Sequence, residues 1–318
     1  MSPPPNPRTR PEHAGITSLS REFQMHLIVG ATGSLGRHLT RSLLAAGEPV
    51  RVFTRDPALA QVFVAEGAEV VRGDLRDKAS VRMAMQGARA VVSASHSILG
   101  RGANASRIVD DDGQRTLITA AKEAGVAHFV YTSALGASPD HPVDFWRTKA
   151  RIEQVVRASG LPFTILQPSA FMEVHAYDLI GKNVQLGKRV PLFGPANNPR
   201  NFVAASDVAA VARQALTDPR FVGQTVTIGG PQNLTSREVA AVFEQVCGKS
   251  AAILQVPLAV VRGMAAVLTP LHEGIGRILS ATIVAETTDQ TFDRESSPLT
   301  TGLQSTTLEA WARARIHG

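Results

Sequence analysis

The sequence predicts an α/β fold in which a doubly wound parallel sheet is followed by a smaller, mainly helical C-terminal lobe. Through residues 25–168, short apolar runs alternate with amphipathic helical segments, and this alternation is typical of repeated βα units. The apolar runs show no polar alternation, which suits strands covered on both faces. A glycine-rich turn joins the first apolar run to the first helix. Together these observations indicate the Rossmann type of α/β fold.

Each predicted element follows from a local pattern of apolar, capping and glycine residues. Asp56 and Asp77 stand where helix N-caps are expected, and Gly47 and Gly125 stand where helices end. The predicted strands cover residues 26–30, 49–55, 68–74, 88–95, 128–134 and 162–168. The predicted helices cover residues 35–47, 77–85, 110–124 and 146–158, and a further helix starts at the Asp56-Pro57 pair.

The turn between the first strand and the first helix carries the strongest functional signal, a G-x-x-G-x-x-G pattern. In such a turn the first glycine permits a tight bend, the second lets the backbone approach a pyrophosphate, and the third lets the helix pack against the strand. The amides at the helix N-terminus bind the phosphates. We therefore predict a dinucleotide site here. Its predicted cofactor-binding residues are Gly30, Thr32, Gly33, Ser34, Leu35 and Gly36.

The end of the second strand indicates which dinucleotide is bound. An NAD site usually has an Asp or Glu there, which holds the ribose hydroxyls. Here the strand ends in Phe53-Thr54-Arg55-Asp56. The guanidinium of Arg55 can pair with a 2′-phosphate, whereas Asp56 comes one residue late and suits a helix cap. We therefore predict that NADP(H) is preferred over NAD(H). The competing interpretation of Arg55 is a solvated loop charge.

Composition and motifs divide the chain into three parts. Residues 1–24 are rich in proline and have no apolar periodicity, so we predict a disordered N-terminal tail. Residues 25–168 form the predicted NAD(P)-binding Rossmann domain. Residues 169–318 form the predicted smaller lobe, which lines a substrate pocket at the carboxyl ends of the strands. Within that lobe, parts at about residues 200–230 are expected to return to the Rossmann sheet.

The composition argues against several classes of partner. The chain carries a formal net charge of +6, but its Lys and Arg residues are scattered and only 5% of its residues are aromatic, so we expect no nucleic-acid partner. The single cysteine, Cys247, suits a reducing compartment, and we predict a cytoplasmic location. No apolar stretch approaches the ~20 residues of a membrane span. The apolar segment 257–268, which Arg262 interrupts, is a candidate interface helix of a homodimer.

Six stretches of the sequence resemble those of a known family. They are GATGSLG, VRVFTRDP, GDLRD, YTSALGA, PFTILQPSAFME and NFVAASDVAAVARQAL. Over about residues 25–250, their order and spacing resemble the NmrA-like group of atypical short-chain dehydrogenase/reductases. The resemblance implies further cofactor contacts, namely Asp74 and Leu75 by the adenine, Ala94 and Ser95 along the cofactor, and Pro168 before a segment near the nicotinamide.

The catalytic positions depart from those of the better-known reductases of this kind. Those enzymes use a Ser, and a Tyr four residues before a Lys; the Tyr is the general acid, and the Lys lowers its pKa and holds the nicotinamide ribose. This chain keeps Ser133 and Lys149, which we name as candidate catalytic residues, but has Phe145 in place of the Tyr. Lys149 is also a candidate to hold the ribose or to donate a proton. The competing interpretation of Lys149 is a surface lysine paired with Glu153. That of Ser133 is a strand-end hydroxyl bonded to nearby backbone.

Other polar residues are weaker candidates. His175 and Tyr177 lie on the segment expected to line the substrate pocket, where a packing or rim role competes with proton donation. The acidic run at residues 110–112 is explained by a favourable interaction with a helix dipole. None of the nine His residues has a metal-like spacing, so no metal site is predicted.

Two functions from different classes remain open. The first is an NADPH-dependent reductase that passes a hydride to a small carbonyl, enone or quinone, with the protein orienting the cofactor. The second is a non-catalytic NAD(P)-sensing regulatory or assembly protein, because some members of the family work without turnover and the usual Tyr is missing here. A sugar-nucleotide epimerase is disfavoured, because that chemistry relies on the same Tyr-Lys pair. We favour the reductase, because the cofactor loop is complete and Lys149 is retained.

Overall fold

The computed structural model describes residues 25–300 and 302–318, and the predicted tail at residues 1–24 lies outside them. The strands are β1 (Met25–Val29), β2 (Val50–Thr54), β3 (Glu69–Arg72), β4 (Ala88–Ser93), β5 (His128–Thr132), β6 (Phe163–Pro168), β7 (Ala170–Phe171), β8 (Arg189–Phe193), β9 (Arg200–Val203), β10 (Gln224–Ile228), β11 (Asn233–Leu234) and β12 (Ala252–Val256). The α-helices are α1 (Ser34–Ala45), α2 (Gln61–Ala65), α3 (Lys78–Met85), α4 (Gly113–Glu123), α5 (Asp144–Ala158), α6 (Lys182–Gln185), α7 (Ala205–Thr217), α8 (Ser236–Cys247), α9 (Leu258–Leu268), α10 (Glu273–Thr287) and α11 (Leu308–His317). None of the described helices is long and apolar enough to cross a membrane.

Seven parallel strands form the central sheet in the order β10-β6-β5-β4-β1-β2-β3. At its centre, Ile28 of β1 pairs with Val52 of β2 on one side and with Val92 of β4 on the other. The chain moves outward from β1 to β3 and then restarts at β4 on the opposite side of β1. Ligands of such sheets bind at the carboxyl ends of the strands beside this reversal. The predicted doubly wound Rossmann fold is confirmed.

Helices cover both faces of the sheet, because successive side chains of a strand point to opposite faces. Leu27 and Ile28 of β1 are both fully buried, but they belong to two separate cores. Side chains of α1 and α7 pack around Ile28, whereas side chains of α3, α4 and α5 pack around Leu27. Burial on both faces explains the lack of polar alternation in the strand sequences.

The chain after β6 builds a smaller lobe with a core of its own, in which Met172, Val190 and Phe243 are buried. The lobe contains helices and also two small sheets, β11-β9-β7 and β12-β8, which the prediction of a mainly helical lobe did not include. Two of these strands, β7 and β11, have only two residues each, too few for hydrophobic periodicity to reveal them. The main sheet also receives two later elements, since β10 pairs with β6 and α7 packs on α1.

Two of the predicted helix caps are confirmed, and a third predicted α-helix starts later than expected. Asp56 Oδ1 accepts from the amide of Ala58, and Asp77 Oδ1 accepts from that of Ala79, each at 3.0 Å. The helix expected at residues 110–124 is an α-helix only from residue 113, and a π-helical turn at Arg107–Asp112 precedes it. This turn places an aspartate in the protein interior, as described below.

Arg277 of α10 ties the lobe to the Rossmann sheet. Its guanidinium, only 6% exposed, donates to both carboxylate oxygens of Asp144 at 2.7 and 3.0 Å and to the carbonyl of Ile98 at 3.3 Å. Gly274 approaches the segment after β4 so closely that a Cβ would lie 2.5 Å from the carbonyl oxygen of Leu99. Through these two residues, α10 holds in place the segment that follows β4.

Candidate active site

The turn after β1 has the geometry that a phosphate-binding loop requires. Gly30 adopts a φ of +92°, and a Cβ there would lie 2.8 Å from backbone atoms of Ala94 and Ser95. Gly33 caps α1, and no side chain there satisfies the first amides of the helix. A Cβ on Gly36 would lie 2.2 Å from the carbonyl oxygen of Gly30. The loop therefore requires glycine at its first and third positions, and it leaves a helix N-terminus open to an anion.

A groove of about 240 Å³ runs from this loop along the carboxyl ends of the strands. It brings together most of the predicted cofactor residues, namely Gly30, Thr32, Gly33, Arg55, Asp74, Leu75, Ala94 and Ser95. It is also lined by Val29, Phe53, Thr54, Gly73, His96, Ser97 and Val109. Ser34, Leu35 and Gly36 form the first turn of α1 behind the loop, and Lys149 and Pro168 are not among the lining residues. Pro168 ends β6, where it pairs with Ile228 of β10.

A second cavity, of about 520 Å³, adjoins the groove at the end of β2. Three guanidinium groups line it, those of Arg55, Arg72 and Arg76. Its two carboxylates are already engaged. Asp74 pairs with Arg76 at 2.5 Å, and this hydrogen-bonded pairing lowers the pKa of Asp74, whereas Asp77 caps α3. The cavity therefore presents positive charge to a ligand.

The segment after β4 closes around this cationic cavity. Arg55 Nη1 donates to Asn104 Oδ1 at 3.0 Å, and Arg76 Nη1 donates to the carbonyl of Ala103 at 3.1 Å. The hydroxyl of Ser97 in turn donates to the carbonyl of Asn104 at 2.6 Å. The position of this segment and the orientation of the two arginines are thus coupled.

Lys149 of α5 is buried at the carboxyl end of β5, with 4% of its surface exposed. Its Nζ donates to the carbonyl of Thr132 at 2.8 Å and lies 5.5 Å from the ring centre of Phe145. Burial lowers the pKa of Lys149 to about 8, although the carboxylates of Asp110 and Glu153 act in the opposite direction. The competing interpretation of a surface lysine paired with Glu153 is therefore wrong.

Ser133 is joined to a buried carboxylate rather than to nearby backbone. Its hydroxyl donates to Oε1 of Glu153 at 2.5 Å. The same carboxylate accepts from Gln167 Nε2 at 2.8 Å and from Arg157 Nη2 at 3.0 Å. Three donors thus fix Glu153, which is only 4% exposed, as a negative charge whose field reaches Lys149. The hydroxyl proton of Ser133 is therefore already used in the hydrogen bond to Glu153.

Two further residues belong to the same site, one explained in the sequence analysis by a helix dipole and one not named there. Asp110 is 1% exposed and accepts from the amide of Ser97 at 2.8 Å and from the hydroxyl of Ser106 at 2.6 Å, so interaction with a helix dipole is not its only role. His96 lines the groove. Although solvent reaches its ring, the surrounding protein lowers the pKa of His96, Lys149 lowers it further, and Asp110 opposes both effects.

Neither tyrosine of the chain replaces the missing general acid. Tyr131 lies beneath the site, where its hydroxyl is buried without a hydrogen-bond partner among the described residues and burial raises its pKa well above the usual value. Tyr177 packs in the core of the lobe and donates to Gln185 Oε1 at 2.7 Å. Within residues 25–300 and 302–318, no group of side chains is arranged to hold a metal ion.

A doubly wound sheet, a glycine-rich loop with an open helix N-terminus, and a groove at the strand reversal define an NAD(P)-binding Rossmann protein. The chain belongs to the NmrA-like family, whose sequence model matches residues 24–312. The family inferred from the motifs is therefore confirmed.

Several proteins of known activity are similar to this chain. An NAD(P)H azoreductase of Xenophilus azovorans is 34% identical over 228 residues, which make up 71% of this chain and 74% of that protein. A photosystem II assembly factor of Trieres chinensis is 29% identical over 236 residues, 73% of this chain and 72% of that protein. The crystal structure of an NADPH-dependent quinone oxidoreductase of Escherichia coli, complexed with NADPH, has the same fold, with a TM-score of 0.74 at 24% identity over 92% of this chain and 100% of that chain.

Proposed function

We propose that the protein is an NADPH-dependent reductase that passes a hydride to a small carbonyl, enone or quinone. The observation that carries the proposal is the position of Lys149, a buried amine bonded to the carbonyl of Thr132 at the carboxyl end of β5, the edge of the sheet along which the dinucleotide groove runs. A cofactor groove and a proton source at one edge of the sheet are the two parts that reduction of such acceptors needs. Similarity to an NAD(P)H azoreductase supports the same conclusion.

A nicotinamide dinucleotide is proposed to lie along the groove. The N-terminus of α1 is placed to hold the pyrophosphate, because Gly33 caps the helix without a side-chain hydrogen bond and lines the groove together with Gly30. Asp74 and Leu75 border the predicted adenine end, and the backbone after β4 at Ala94 and Ser95 runs along the middle of the groove. The segment that follows Pro168 is the proposed neighbour of the nicotinamide.

The preference for NADP(H) rests on the charge of the adjoining cavity. Arg55 lines both the groove and the cavity, so its guanidinium is within reach of a 2′-phosphate. The carboxylate of Asp74, which would otherwise favour ribose hydroxyls, is paired with Arg76. A doubly charged phosphate is therefore a better match to this cavity than a pair of hydroxyls.

When bound, reduced nicotinamide supplies the hydride, and the chain itself must supply the accompanying proton. Lys149 is the proposed proton donor. Its ammonium is held by the carbonyl of Thr132, and a pKa of about 8 lets it release a proton near neutral pH. Phe145, 8% exposed, covers the amine and limits its contact with water. Glu153 positions Ser133 and keeps a compensating negative charge close by.

The reductase proposal is tested by measuring NADPH oxidation against a panel of quinones, enones and azo compounds. We expect turnover with at least one class of acceptor, and Lys149→Met is expected to lower kcat by about 10²–10⁴-fold, the usual contribution of general acid catalysis. Lys188→Met, at an exposed lysine of the lobe, is the matched control and should retain full activity. Tight NADPH binding without oxidation by any acceptor would instead favour the sensing or assembly function.

We also propose that the protein works as a homodimer in the cytoplasm. Val260, Met264, Val267 and Leu271 are 43–74% exposed, and their spacing of four, three and four residues forms one apolar stripe along α9 and the turn after it. A second copy of the same stripe is the simplest cover for it. Sedimentation of the wild type and of Val267→Glu tests this, since a monomeric wild type would contradict it.

A further inference from the structure

Asn104 lies at the edge of the cationic cavity, on the segment that follows β4. Its Oδ1 accepts from Nη1 of Arg55 at 3.0 Å, and Arg55 lines both the cavity and the dinucleotide groove. The carbonyl of the preceding residue, Ala103, accepts from Nη1 of Arg76 at 3.1 Å, and Arg76 lines the cavity as well. Two consecutive residues of this segment therefore contact two of the three arginines that line the cavity.

The carboxamide of Asn104 can have only one orientation in this contact. A guanidinium donates hydrogen bonds and accepts none, so Arg55 must meet the oxygen of the amide and not its nitrogen. Within the described part of the chain, Nδ2 of Asn104 has no hydrogen-bond partner, and neither do the other N–H groups of Arg55. Several N–H donors at the edge of the cavity are thus free to bind an anion.

The partner of Arg55 is neutral, in contrast with the partner of Arg76. Asp74 pairs with Arg76 at 2.5 Å and compensates its charge, whereas no carboxylate of the described residues pairs with Arg55, whose side chain is held by the amide of Asn104 instead. An amide can hold a guanidinium in place without neutralising it, which a carboxylate cannot do. Arg55 therefore keeps its full charge in a fixed position, and both properties favour binding of a phosphate.

The backbone of Asn104 is held in place by the rest of the segment. The hydroxyl of Ser97 donates to the carbonyl of Asn104 at 2.6 Å, which closes the segment into a loop. The amide of Ser97 donates to Oδ1 of the buried Asp110 at 2.8 Å and so fixes the loop to the protein interior. A side chain at Gly100 would collide with the backbone of Asn104, so the loop is closely packed. Because the amide is already positioned, little ordering is needed when a ligand binds beside it.

We propose that Asn104 is a specificity-determining residue for the 2′-phosphate of NADP(H). This inference rests on the proposed function, in which NADPH is the cofactor and Arg55 binds its 2′-phosphate. Oδ1 of Asn104 orients Arg55, and Nδ2 supplies one more N–H donor beside it. NADH has a hydroxyl in place of the phosphate, so its binding gains little from either group.

The test is the binding of NADPH and NADH to the wild type, Asn104→Ala and Asn104→Asp, followed by nicotinamide fluorescence. We expect Asn104→Ala to weaken NADPH binding by about 3–10-fold, the effect of losing one or two hydrogen bonds. Asn104→Asp keeps an acceptor for Arg55 but brings a negative charge to the phosphate, so it should weaken NADPH binding by about 10–100-fold. NADH binding should stay within about twofold in both. Asn197→Ala and Asn197→Asp, at an exposed asparagine of the lobe, are matched controls and should change neither cofactor.

A purely structural role of Asn104 predicts different results. Aspartate is close to asparagine in size and can still accept from Arg55, so Asn104→Asp would then bind NADPH as tightly as the wild type, and a displaced loop would weaken NADH as much as NADPH. Either result would overturn the proposal. Titrations of 2′,5′-ADP and 5′-AMP, which lack the nicotinamide, measure the phosphate contact alone, and we expect the same selective loss for 2′,5′-ADP.

These binding measurements also separate the inference from the reductase proposal, because they require no turnover. Absence of NADPH oxidation would contradict the reductase function and leave the selective effect of Asn104→Asp intact. A wild type that binds NADPH and NADH equally would contradict both the NADP(H) preference and the role of Asn104.

Discussion

In the proposed mechanism, burial of Lys149 compensates at the residue scale for the missing tyrosine. An exposed lysine holds its proton too firmly to give it up near neutral pH, with an ordinary pKa of 10.5, whereas burial lowers the pKa of Lys149 to about 8. Phe145 stands where related enzymes have the acid, and its ring contributes to that burial. Phe145 thus lacks the hydroxyl of the usual tyrosine and at the same time helps to bury the amine of Lys149, and burial is what lowers the pKa of that amine.

The pH dependence of the reaction should report this amine. Because Lys149 must carry its proton to donate it, kcat/KM is expected to fall as the pH rises through about 8. Stability should change in the opposite direction, because the unfolded chain keeps the lysine proton up to a pKa of 10.5 while the folded chain releases it near 8. The free energy of unfolding should therefore rise between these two values. A flat rate profile across this range would exclude Lys149 as the donor.

The proposed role of Arg55, at the same scale, is to favour NADP(H) over NAD(H). Arg55→Ala should weaken NADPH binding by about 10–100-fold, because a charge-assisted contact to the 2′-phosphate is lost, and should change NADH binding by less than about threefold. Side-by-side titrations of the two cofactors measure this, with Arg89→Ala at an exposed position of β4 as the control. Equal weakening of NADPH and NADH binding would show that Arg55 does not contact the 2′-phosphate.

The sequence predicted some site residues and missed others for a physical reason. Arg55 and Lys149 were identifiable because each stands at a fixed offset from a strand or within a family pattern. The places of His96 in the groove wall and of Asp110 in the interior were not, because both depend on contacts made only in the folded chain, such as the amide of Ser97 that donates to Asp110. Only the folded arrangement shows that these groups are enclosed and act on one another.

At the scale of elements, the first βα unit is the part of the fold that the cofactor depends on most. Gly36→Ala would place a Cβ 2.2 Å from the carbonyl oxygen of Gly30 and 2.6 Å from Cα of Ala31. Both are backbone atoms, so α1 would have to move away from β1. We expect NADPH binding to be lost together with a marked fall in Tm.

A second glycine supplies the matched control for that substitution. Gly263 lies in α9 with open space around the position that a Cβ would take, so Gly263→Ala should raise stability by roughly 0.5–1 kcal/mol and leave NADPH binding unchanged. Thermal unfolding and cofactor titration of the two variants measure both effects. If Gly36→Ala behaves like Gly263→Ala, the close packing of α1 on the loop is not required.

The predictability of elements depended on their length and burial. The six strands of the βα repeat were predictable because each has four to six residues that include an apolar pair or run, and each stands between helix signals. In the lobe, β7 and β11 were missed because they have two residues each and carry no periodic pattern. The π-helical turn before α4 was missed as well, since nothing in the acidic run distinguishes it from a helix start.

At the scale of the whole molecule, α10 joins the lobe to the cofactor groove through Arg277. Replacing this buried guanidinium by leucine should lower stability by roughly 1–3 kcal/mol, because its hydrogen bonds to Asp144 and to the carbonyl of Ile98 are lost. The segment after β4 should loosen, so KM for NADPH should rise as well. Arg313→Leu removes an exposed pair with Glu309 and should cost less than about 1 kcal/mol. A Tm loss as small as that of the control would contradict a clamping role for Arg277.

The proposed function requires that one protein both binds NADPH in the groove after β1 and passes its hydride to a small acceptor. A single-turnover experiment tests this most directly, in which the preformed NADPH complex is mixed with a quinone and the absorbance of reduced nicotinamide is followed. We expect each occupied site to oxidise one NADPH, and the Lys149→Met complex to bind NADPH but to oxidise it at least about a hundredfold more slowly. A complex that retains all of its NADPH in the reduced form with quinone, enone and azo acceptors alike would contradict the proposed function.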